Sequence, residues 1–431
     1  MRVLIICPQF APNNTADSHR VRLVLPYLQE AGCDVEILAV DPRDVRGPLD
    51  PWLAERLPKS IAVHRIRAWR LRGWGLNGLA QRAGIPLYWA GRKLLSKRSF
   101  DLVFFSTTRF HLHVLGCLWQ SRFSVPFCLD YQDPWVNNYY RERPEITPPG
   151  GRVKFGISDW LHRLGERYVV PRCSGFLSVS QNYLDELLVR YGSFAAWQPR
   201  LVQPFPGEPS EFLNIKLSNG STEKTTHDLV IRYIGRGGQD MLTAARAFFA
   251  AWQSVLEKNK HLQVKLHFEA IGTAYYSGSA ATQTFEPLAT EFGLEKWVAE
   301  QPLRLSYHAT LRSLLDSDAL VVFGSDDPSY TASKIYPYLL AKRPLLALFH
   351  KSSSVVSIIA DVGGGQCVTF DETGFTSKAQ AEIELFFTKL IDGEAIVPLD
   401  SVRFEKYSAR TQARHLAAWF DQVIRKSAQL E

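Results

Sequence analysis

Two residues in the C-terminal half of the sequence, Arg236 and Lys334, are of the types and in the settings that bind anionic groups. Arg236 stands between Gly235 and Gly237 directly after an apolar run, and Lys334 follows Ser333 where a segment with helical spacing begins. Glycines let the backbone approach a phosphate closely, and cationic side chains near a helix N-terminus neutralise its charge. The pattern therefore predicts a phosphate site. The alternatives are an ordinary turn arginine and a solvated lysine.

In the N-terminal half, Asp133 is the residue best placed for acid–base chemistry. It lies in the segment YQDPW at the end of an apolar run, and Pro134 biases it toward an extended or turn conformation. A carboxylate at such a position could bind hydroxyl groups or remove a proton from one. The alternative is an aspartate that closes a turn or caps a helix.

Several well-defined catalytic motifs are absent from the sequence. There is no Walker A lysine loop, no HExxH helix and no GxSxG elbow. The turn that begins at Gly235 does not match GxGxxG, because Asp240 takes the sixth position. The acidic segment 316–318 joins a predicted helix to a predicted strand, where aspartates more often cap or stay solvated than bind a metal. We therefore expect neither a metal nor a cofactor.

The elements that must position these residues follow two successive α/β patterns. Continuous apolar runs predict strands that are buried on both faces, and segments with helical spacing separate them. The predicted strands are 2–7, 34–40, 100–106, 125–135, 174–180, 228–235, 261–272, 318–324 and 344–349. The predicted helices run from an N-cap at Ser18 to about Glu30, over 110–121, from after 180 to about Tyr191, over 241–256, over 333–343, and over about the last 25 residues.

The two patterns predict two domains that each contain a parallel sheet. The segment 198–211 contains four prolines and breaks the regular alternation of elements. We predict a first domain over 1–204, a second over 205–405, and a C-terminal helix over 406–431 that packs back on the first domain. Ligands of such proteins usually bind in the cleft between the two domains.

Composition restricts the class of protein. The chain has 431 residues, of which 46% are hydrophobic and 22% charged, which excludes a disordered chain, a fibre and a coiled coil. Fifty Lys and Arg against 43 Asp and Glu leave a net charge of +7, too mild to predict a nucleic-acid partner. Six cysteines without a CxxC pair indicate buried free thiols in a reducing compartment. No run reaches the roughly 18–20 apolar residues that span a bilayer, so we expect a cytoplasmic protein.

One stretch departs from this mild charge. Residues 59–98 contain ten Lys and Arg and no Asp or Glu, and Trp69, Trp74, Tyr88 and Trp89 lie among them. Cations attract anionic lipid headgroups, and tryptophan prefers the membrane interface. The stretch predicts a peripheral contact with the inner face of a membrane. The alternative is a basic surface with partly buried tryptophans.

Several segments together resemble the GT-B glycosyltransferases, most closely the family 4-like enzymes. In the first half these segments are RVLIICPQFAP, SHRVRLVLPYLQEAGCDVEIL, LDYQDPW and GFLSVSQNYLDELLVRYG. In the second half they are IRYIGRGG, LHFEAIGT and LLDSDALVVFGSDDPSYTASKIYPYLLAKRPLLAL. The resemblance implies an α/β fold of two Rossmann-like lobes whose parallel sheets face an interlobe cleft. It also implies a metal-independent, retaining hexosyltransferase of cell-envelope polysaccharide synthesis, which uses a nucleotide-sugar donor and a glycan or lipid-linked acceptor.

The resemblance assigns roles to particular residues. It implies that Arg236 and Lys334 neutralise the donor diphosphate, and that a histidine lies close to the donor sugar. His111 and His113 are both in position for that role, and we favour His111; a structural histidine is the alternative for either. The remaining residues of the implied site are Gly235, Gly237, Tyr330 and Ser333 around the donor, Thr15, Ser18 and Arg20 in an N-terminal loop that touches the donor phosphate, and Asp133 as a catalytic residue.

The chain also departs from the family pattern. Many members carry two glutamates with seven residues between them, the second of which binds the donor ribose, but Ser329 and Pro337 occupy these positions here. Asp326, Asp327 or Tyr330 could compensate. Two further functions therefore stay open: a catalytically degenerate scaffold or binding subunit, and a sugar-nucleotide epimerase.

Overall fold

The apolar runs of the sequence form two parallel sheets in the computed structural model, one in each of two units of the chain. The first unit comprises residues 1–206 and 409–431, and the second comprises residues 207–408. The structure describes residues 1–70, 78–136, 138, 141, 147, 151–195, 197–213, 215, 228–259, 265–274, 283–328, 330, 332–394 and 397–429.

In the first unit, the described strands form one sheet in the order β3-β2-β1-β4-β5-β6-β7, and every neighbouring pair is parallel. Their bounds are β1 (Arg2–Ile6), β2 (Asp34–Val40), β3 (Ala62–Ile66), β4 (Leu102–Ser106), β5 (Phe127–Tyr131), β6 (Gly175–Ser178) and β7 (Arg200–Val202). Strands β4 and β5 are buried along their whole length. Such burial is typical of strands that helices cover on both faces.

The helices of this part of the chain are α1 (Ala16–Glu30), α2 (Pro51–Glu55), α3 (Leu79–Lys97), α4 (Val114–Phe123), α5 (Arg152–Val169) and α6 (Gln181–Ala195). The prediction of Ser18 as the N-cap of the first helix is wrong. Thr15 has an extended backbone, and its side-chain oxygen accepts a hydrogen bond from the Ser18 amide at 3.4 Å. The cap therefore lies three residues earlier than predicted, and Ser18 is buried in the first turn.

In the second unit, the described strands form a sheet in the order β10-β9-β8-β11-β12-β13, again with parallel neighbours. Their bounds are β8 (Asp228–Ile234), β9 (Lys265–Ile271), β10 (Val298–Gln301), β11 (Ala319–Phe323), β12 (Leu345–His350) and β13 (Gln366–Phe370). The helices are α7 (Leu242–Lys258), α8 (Phe285–Glu291), α9 (Tyr307–Leu315), α10 (Ile335–Leu340), α11 (Ser354–Val362), α12 (Ser377–Ile391) and α13 (Ser401–Phe404).

Helix α10 is shorter than the predicted segment 333–343. It begins after Lys334, and its third residue is Pro337. A proline is tolerated there because the first amides of a helix have no intrahelical partner. At the other end, Lys342 adopts a positive φ of 53°, which is incompatible with further helix.

The chain returns to the first unit through α14 (Ala409–Ala428), which packs against α1. Its Phe420 ring lies 5.1 Å from that of Phe104 on β4. Gly175 at the start of β6 makes the close approach possible, because a Cβ there would lie 2.8 Å from the Val423 side chain. The last helix therefore completes the core of the first unit.

Both sheets reverse their strand order beside their first strand, between β1 and β4 and between β8 and β11. In open parallel sheets, ligands bind outside the carboxyl ends of the strands at such a switch point. The predicted α/β class with two parallel sheets is confirmed, and the six cysteines are free thiols. Within the part of the chain that the structure describes, no helix has the length and apolar character needed to cross a bilayer.

Candidate functional site

Two loops meet at the switch point of the second unit, one after β8 and one after β11. The Asp240 carboxylate accepts a hydrogen bond from the Ser325 hydroxyl at 2.6 Å, and the Asp240 carbonyl accepts one from the Asp326 amide at 2.7 Å. The residues after β8 are therefore fixed against those after β11. This junction holds the predicted phosphate ligands.

Arg236 lies in this junction with its guanidinium partly buried. Its two terminal nitrogens donate to the two carboxylate oxygens of Asp240 at 2.9 and 2.7 Å. The same guanidinium lies 5.1 Å from the centre of the Tyr330 ring. Burial alone would raise the pKa of Asp240, but the Arg236 contacts hold it below its usual value. Arg236 is therefore a fixed cation whose charge Asp240 partly compensates.

Lys334 reaches the same place from the turn before α10. Its Nζ donates to the Tyr233 hydroxyl at 2.7 Å, and that hydroxyl donates to the Arg236 carbonyl at 2.6 Å. A Cβ on Gly235 would lie 2.1 Å from the Lys334 Nζ, so only glycine leaves room for this lysine. Burial and the charges of Arg236 and Arg304 lower the pKa of Lys334 to about 7. The structure thus brings Arg236, Lys334 and Gly235 together.

The backbone amides of Gly235 and Gly237 already have hydrogen-bond partners in the protein. Their amides do not face an open space: Gly235 N–H donates to the Ile271 carbonyl at 2.9 Å, and Gly237 N–H donates to the Thr273 carbonyl at 2.8 Å. The glycines therefore provide close packing rather than amides for an anion. Ser333 lies in the turn directly before Lys334.

The switch point of the first unit gathers polar side chains that the sequence analysis did not single out. The Asp17 carboxylate accepts hydrogen bonds from the Thr107 hydroxyl and the Thr108 amide, both at 3.1 Å. Arg109 Nε donates to the Gln9 side chain at 2.7 Å. The signal that could have found these residues is their position, since polar residues directly follow β1 and β4 and begin α1.

Asp133 lies beside this group, in the turn after β5. Its side chain reaches solvent. The surrounding protein and the Asp17 carboxylate nevertheless raise the pKa of Asp133 to about 6, against the opposing effect of Arg109. A carboxyl with a pKa near 6 can exchange a proton close to neutral pH.

His111 and His113 follow β4 in one short 3₁₀ turn but have different surroundings. His113 is fully buried, with its ring 5.1 Å from that of Trp135, and burial lowers the pKa of His113 to about 3. His111 is half-buried, its ring lies 4.8 Å from that of His162, and it lines a groove of about 480 Å³ beside α5. His113 is therefore enclosed in the core, whereas His111 borders this groove.

Comparison with known proteins relates this geometry to a family. Residues 18–203 match the model of the glycosyl transferase 4-like domain. This segment is similar to glycosyl transferase 4-like domains. It contains the strands β2–β7 and the candidates Asp133 and His111. No curated protein is significantly similar to the chain in sequence.

Solved structures extend the likeness to the whole chain. Anabaena HepE in complex with UDP-glucose is 14% identical, with a TM-score of 0.58 and coverage of 100% of this chain and 99% of that one. Sucrose-phosphate synthase from Thermosynechococcus elongatus is 14% identical, with a TM-score of 0.59 and coverage of 100% and 98%. The lipopolysaccharide outer core galactosyltransferase WaaB is 12% identical, with a TM-score of 0.55 and coverage of 98% and 100%. The chain has the GT-B fold that these glycosyltransferases share.

Within the matched segment, Arg20 is held by other residues of the first unit. It is buried, its Nε donates to Asp130 at 2.6 Å, and its terminal nitrogens donate to the carbonyls of Gln203 and Pro204 at 2.9 and 3.1 Å. The sequence analysis expected Arg20 to contact a donor phosphate. In the structure its charge is instead compensated by Asp130 inside the first unit. Just ahead of the matched segment, Thr15 caps α1 and donates to the Gln9 carbonyl at 3.3 Å.

Part of the basic stretch of the matched segment is also tied to the fold. Arg67 donates to Asp44 at 2.6 Å, Arg98 donates to Glu36 at 2.6 Å, and Arg82 donates to the Asp44 carbonyl at 2.7 Å. Part of the stretch, residues 71–77 with Arg72 and Trp74, lies outside the described residues, as does Ser329 of the donor segment. Several cations of 59–98 therefore hold β3 and α3 in place.

Proposed function

We propose that the chain is a glycosyltransferase that moves a sugar from a nucleotide-sugar donor to a glycan or lipid-linked acceptor. The observation that carries the proposal is the convergence of Arg236 and Lys334 on Gly235 at the switch point of the second sheet. The glycosyl transferase 4-like domain and the GT-B fold support it.

In the proposed reaction, the second unit binds the donor diphosphate. Cleavage of the bond from the sugar to the diphosphate leaves negative charge on the departing phosphate oxygens, which nearby cations stabilise. Lys334 is the more responsive of the two cations, because a bound diphosphate favours its protonated form. Arg236 is the more rigid, because Asp240 and Tyr330 already fix its guanidinium. A fixed cation requires little reorganisation when charge develops.

We assign the acceptor to the first unit. Asp133, with its pKa raised to about 6, is the group that would bind an acceptor hydroxyl or take its proton. We assign His111 to the sugar side of the reaction. Transfer with retention, a hexosyl group and independence from metal complete the proposal.

The first donors to test are uridine nucleotides, since the HepE structures contain UDP or UDP-glucose. The experiment incubates the purified chain with UDP-sugars and with a set of glycan and lipid-linked acceptors, and measures the glycosylated product. Formation of product that Asp133→Asn reduces by roughly a hundredfold or more would support the proposal. The exposed variant Asp185→Asn on α6 is the matched control.

A second candidate function is a binding subunit without catalysis. The pairing of Arg236 with Asp240 and the absence of a carboxylate at Pro337 favour it. Binding of a nucleoside diphosphate without turnover of any donor would indicate this function. Conversion of the donor sugar without an added acceptor would instead indicate an epimerase.

A further inference from the structure

An ordinary surface helix turns its apolar side chains to the core and its charged side chains to solvent. Helix α5 instead buries its acidic side chains and exposes large apolar ones. Its two acidic residues, Asp159 and Glu166, are buried and compensated. Asp159 accepts from Arg163 at 2.9 Å, and Glu166 accepts from Arg190 at 3.1 Å. Both carboxylates of the helix therefore point into the protein, which leaves its outward face without negative charge.

Large apolar side chains occupy that outward face. Val153 is 79% exposed, Ile157 59%, Trp160 61% and Leu164 54%. The exposed cations of the helix are Arg152, Lys154 and Arg167. Contiguous exposed apolar surface of this kind is uncommon on soluble proteins and marks an interaction site.

Helix α3 continues this surface. Its exposed side chains Gln81, Ile85, Trp89 and Lys93 recur every four residues and so lie on one stripe. The helix contains no Asp or Glu. Gln81 lines the same groove as Ile157 of α5, so the stripe begins where the apolar face of α5 lies.

We infer that this docking surface, formed by Ile85, Trp89 and Lys93 of α3 with Lys154, Ile157 and Trp160 of α5, binds an anionic lipid bilayer. Exposed apolar side chains can enter the headgroup region, tryptophan prefers that depth, and the surrounding cations meet anionic headgroups. The inference goes beyond the proposed function and does not depend on it. It divides the contact between α3, which lies in the basic stretch, and α5, which lies outside it.

Charge complementarity selects the bilayer over a second copy of the chain. A two-fold contact would place this face against itself. Each copy would then bring exposed lysines and arginines toward the same face of its partner, with no exposed carboxylate on either helix to compensate them. Like charges that face each other across an interface are unfavourable.

Co-sedimentation with lipid vesicles tests the inference. The full chain is mixed at low salt with vesicles of phosphatidylcholine alone or of equal parts phosphatidylcholine and phosphatidylglycerol. We expect it to pellet with the anionic vesicles only. The double substitution Ile157→Ser with Trp160→Ser should weaken this binding by roughly tenfold or more, because it removes two exposed apolar anchors.

Two matched controls keep the test specific. Val189→Ser removes an apolar side chain of α6 that is 87% exposed, and this variant should bind like the parent. Lys154→Glu should weaken binding by roughly fivefold or more, whereas Lys389→Glu in the second unit should not. Thermal unfolding of each variant checks that it is folded.

Three outcomes would overturn the inference. The first is failure of the parent chain to pellet with anionic vesicles at low salt. The second is equal binding by the parent and the folded α5 variants. The third is light scattering that shows a dimer of the parent, lost in the double variant, without lipid binding by either; this result would assign the surface to a second copy of the chain.

Discussion

Lys334 lies against the Tyr233 hydroxyl with two arginines nearby, and this environment makes its charge depend on pH close to neutrality. In the free protein the pKa of Lys334 is lowered to about 7. A bound diphosphate raises this pKa, because it favours the charged form. Between the free and bound pKa values, binding must therefore take up a proton, and affinity must fall as pH rises.

We predict that UDP binding near pH 8.5 is accompanied by uptake of up to about one proton, and that affinity decreases from about pH 7.5 to 9.5. Above pH 7.5 the phosphates of UDP are already ionised, so they do not contribute. Calorimetry in buffers with different protonation enthalpies measures the uptake. Lys334→Arg, whose charge does not titrate in this range, should bind without it. An equal uptake by the arginine variant would contradict the assignment.

The close approach of Lys334 to Gly235 leads to a prediction for the variant Gly235→Ala. Its Cβ position lies 2.1 Å from the Lys334 Nζ and 2.9 Å from the Tyr233 hydroxyl, so Gly235→Ala must displace the end of the lysine side chain and disturb its contact with that hydroxyl. We expect UDP affinity to fall by roughly tenfold while stability changes by less than about 1 kcal/mol. Calorimetry and urea unfolding measure the two effects. Gly156→Ala, where a Cβ meets open space, is the control, and loss of binding in both variants would contradict the argument.

At the scale of elements, Arg20 joins α1 to the end of β5 and to the segment after β7. Asp130 is fully buried, and Ser106 and Gln132 also donate to it at 2.8 and 3.1 Å. Removing the cation would leave this carboxylate buried with only neutral donors. The ion pair is therefore a structural joint of the first unit.

We predict that Arg20→Met lowers the free energy of unfolding of the first unit by about 3–5 kcal/mol and leaves UDP affinity unchanged. Urea unfolding and calorimetry measure the two quantities. Arg43→Met removes an exposed cation paired with Asp41 and should cost less than about 1 kcal/mol. A stable Arg20 variant that no longer binds UDP would restore the phosphate role that the sequence suggested.

The central strands and their order of appearance could be predicted from the sequence, because they are uninterrupted apolar runs. The edge strands could not. β3 is partly exposed, β7 has three residues, and β10 alternates buried and exposed residues over four. Helices α3 and α5 were also missed, because each begins after a glycine that makes no side-chain capping bond. Their start therefore leaves no signal in the sequence.

The candidate site shows a similar division. Arg236 and Lys334 could be proposed from residue type and spacing. The contacts of Asp240, Tyr233 and Asp17 could not, because they depend on which loops the strand order brings together. The partners of the turn glycines could not be predicted for the same reason, because their amides bind the carbonyls of Ile271 at the end of β9 and of Thr273 just after it.

In the whole protein, the proposed reaction leaves neutralisation of the diphosphate to side chains of the chain itself. We predict that excess EDTA changes the rate of glycosyl transfer by less than about twofold, and that added Mg²⁺ or Mn²⁺ changes it as little. Product formation with and without chelator measures this. Loss of activity in EDTA that Mg²⁺ or Mn²⁺ restores would show that a divalent cation shares the task.

Calorimetry tests directly whether Arg236 and Lys334 bind the donor diphosphate. It measures the binding of a panel of nucleoside diphosphates to the parent chain and to its Arg236→Ala and Lys334→Ala variants. Arg246→Ala and Lys389→Ala, on exposed helix surfaces of the same unit, are the matched controls. We predict that at least one diphosphate binds the parent, that each site variant weakens this binding by about tenfold to a hundredfold, and that the controls bind like the parent. Binding of no diphosphate by the folded parent, or binding by both site variants as tight as that of the parent, would contradict it.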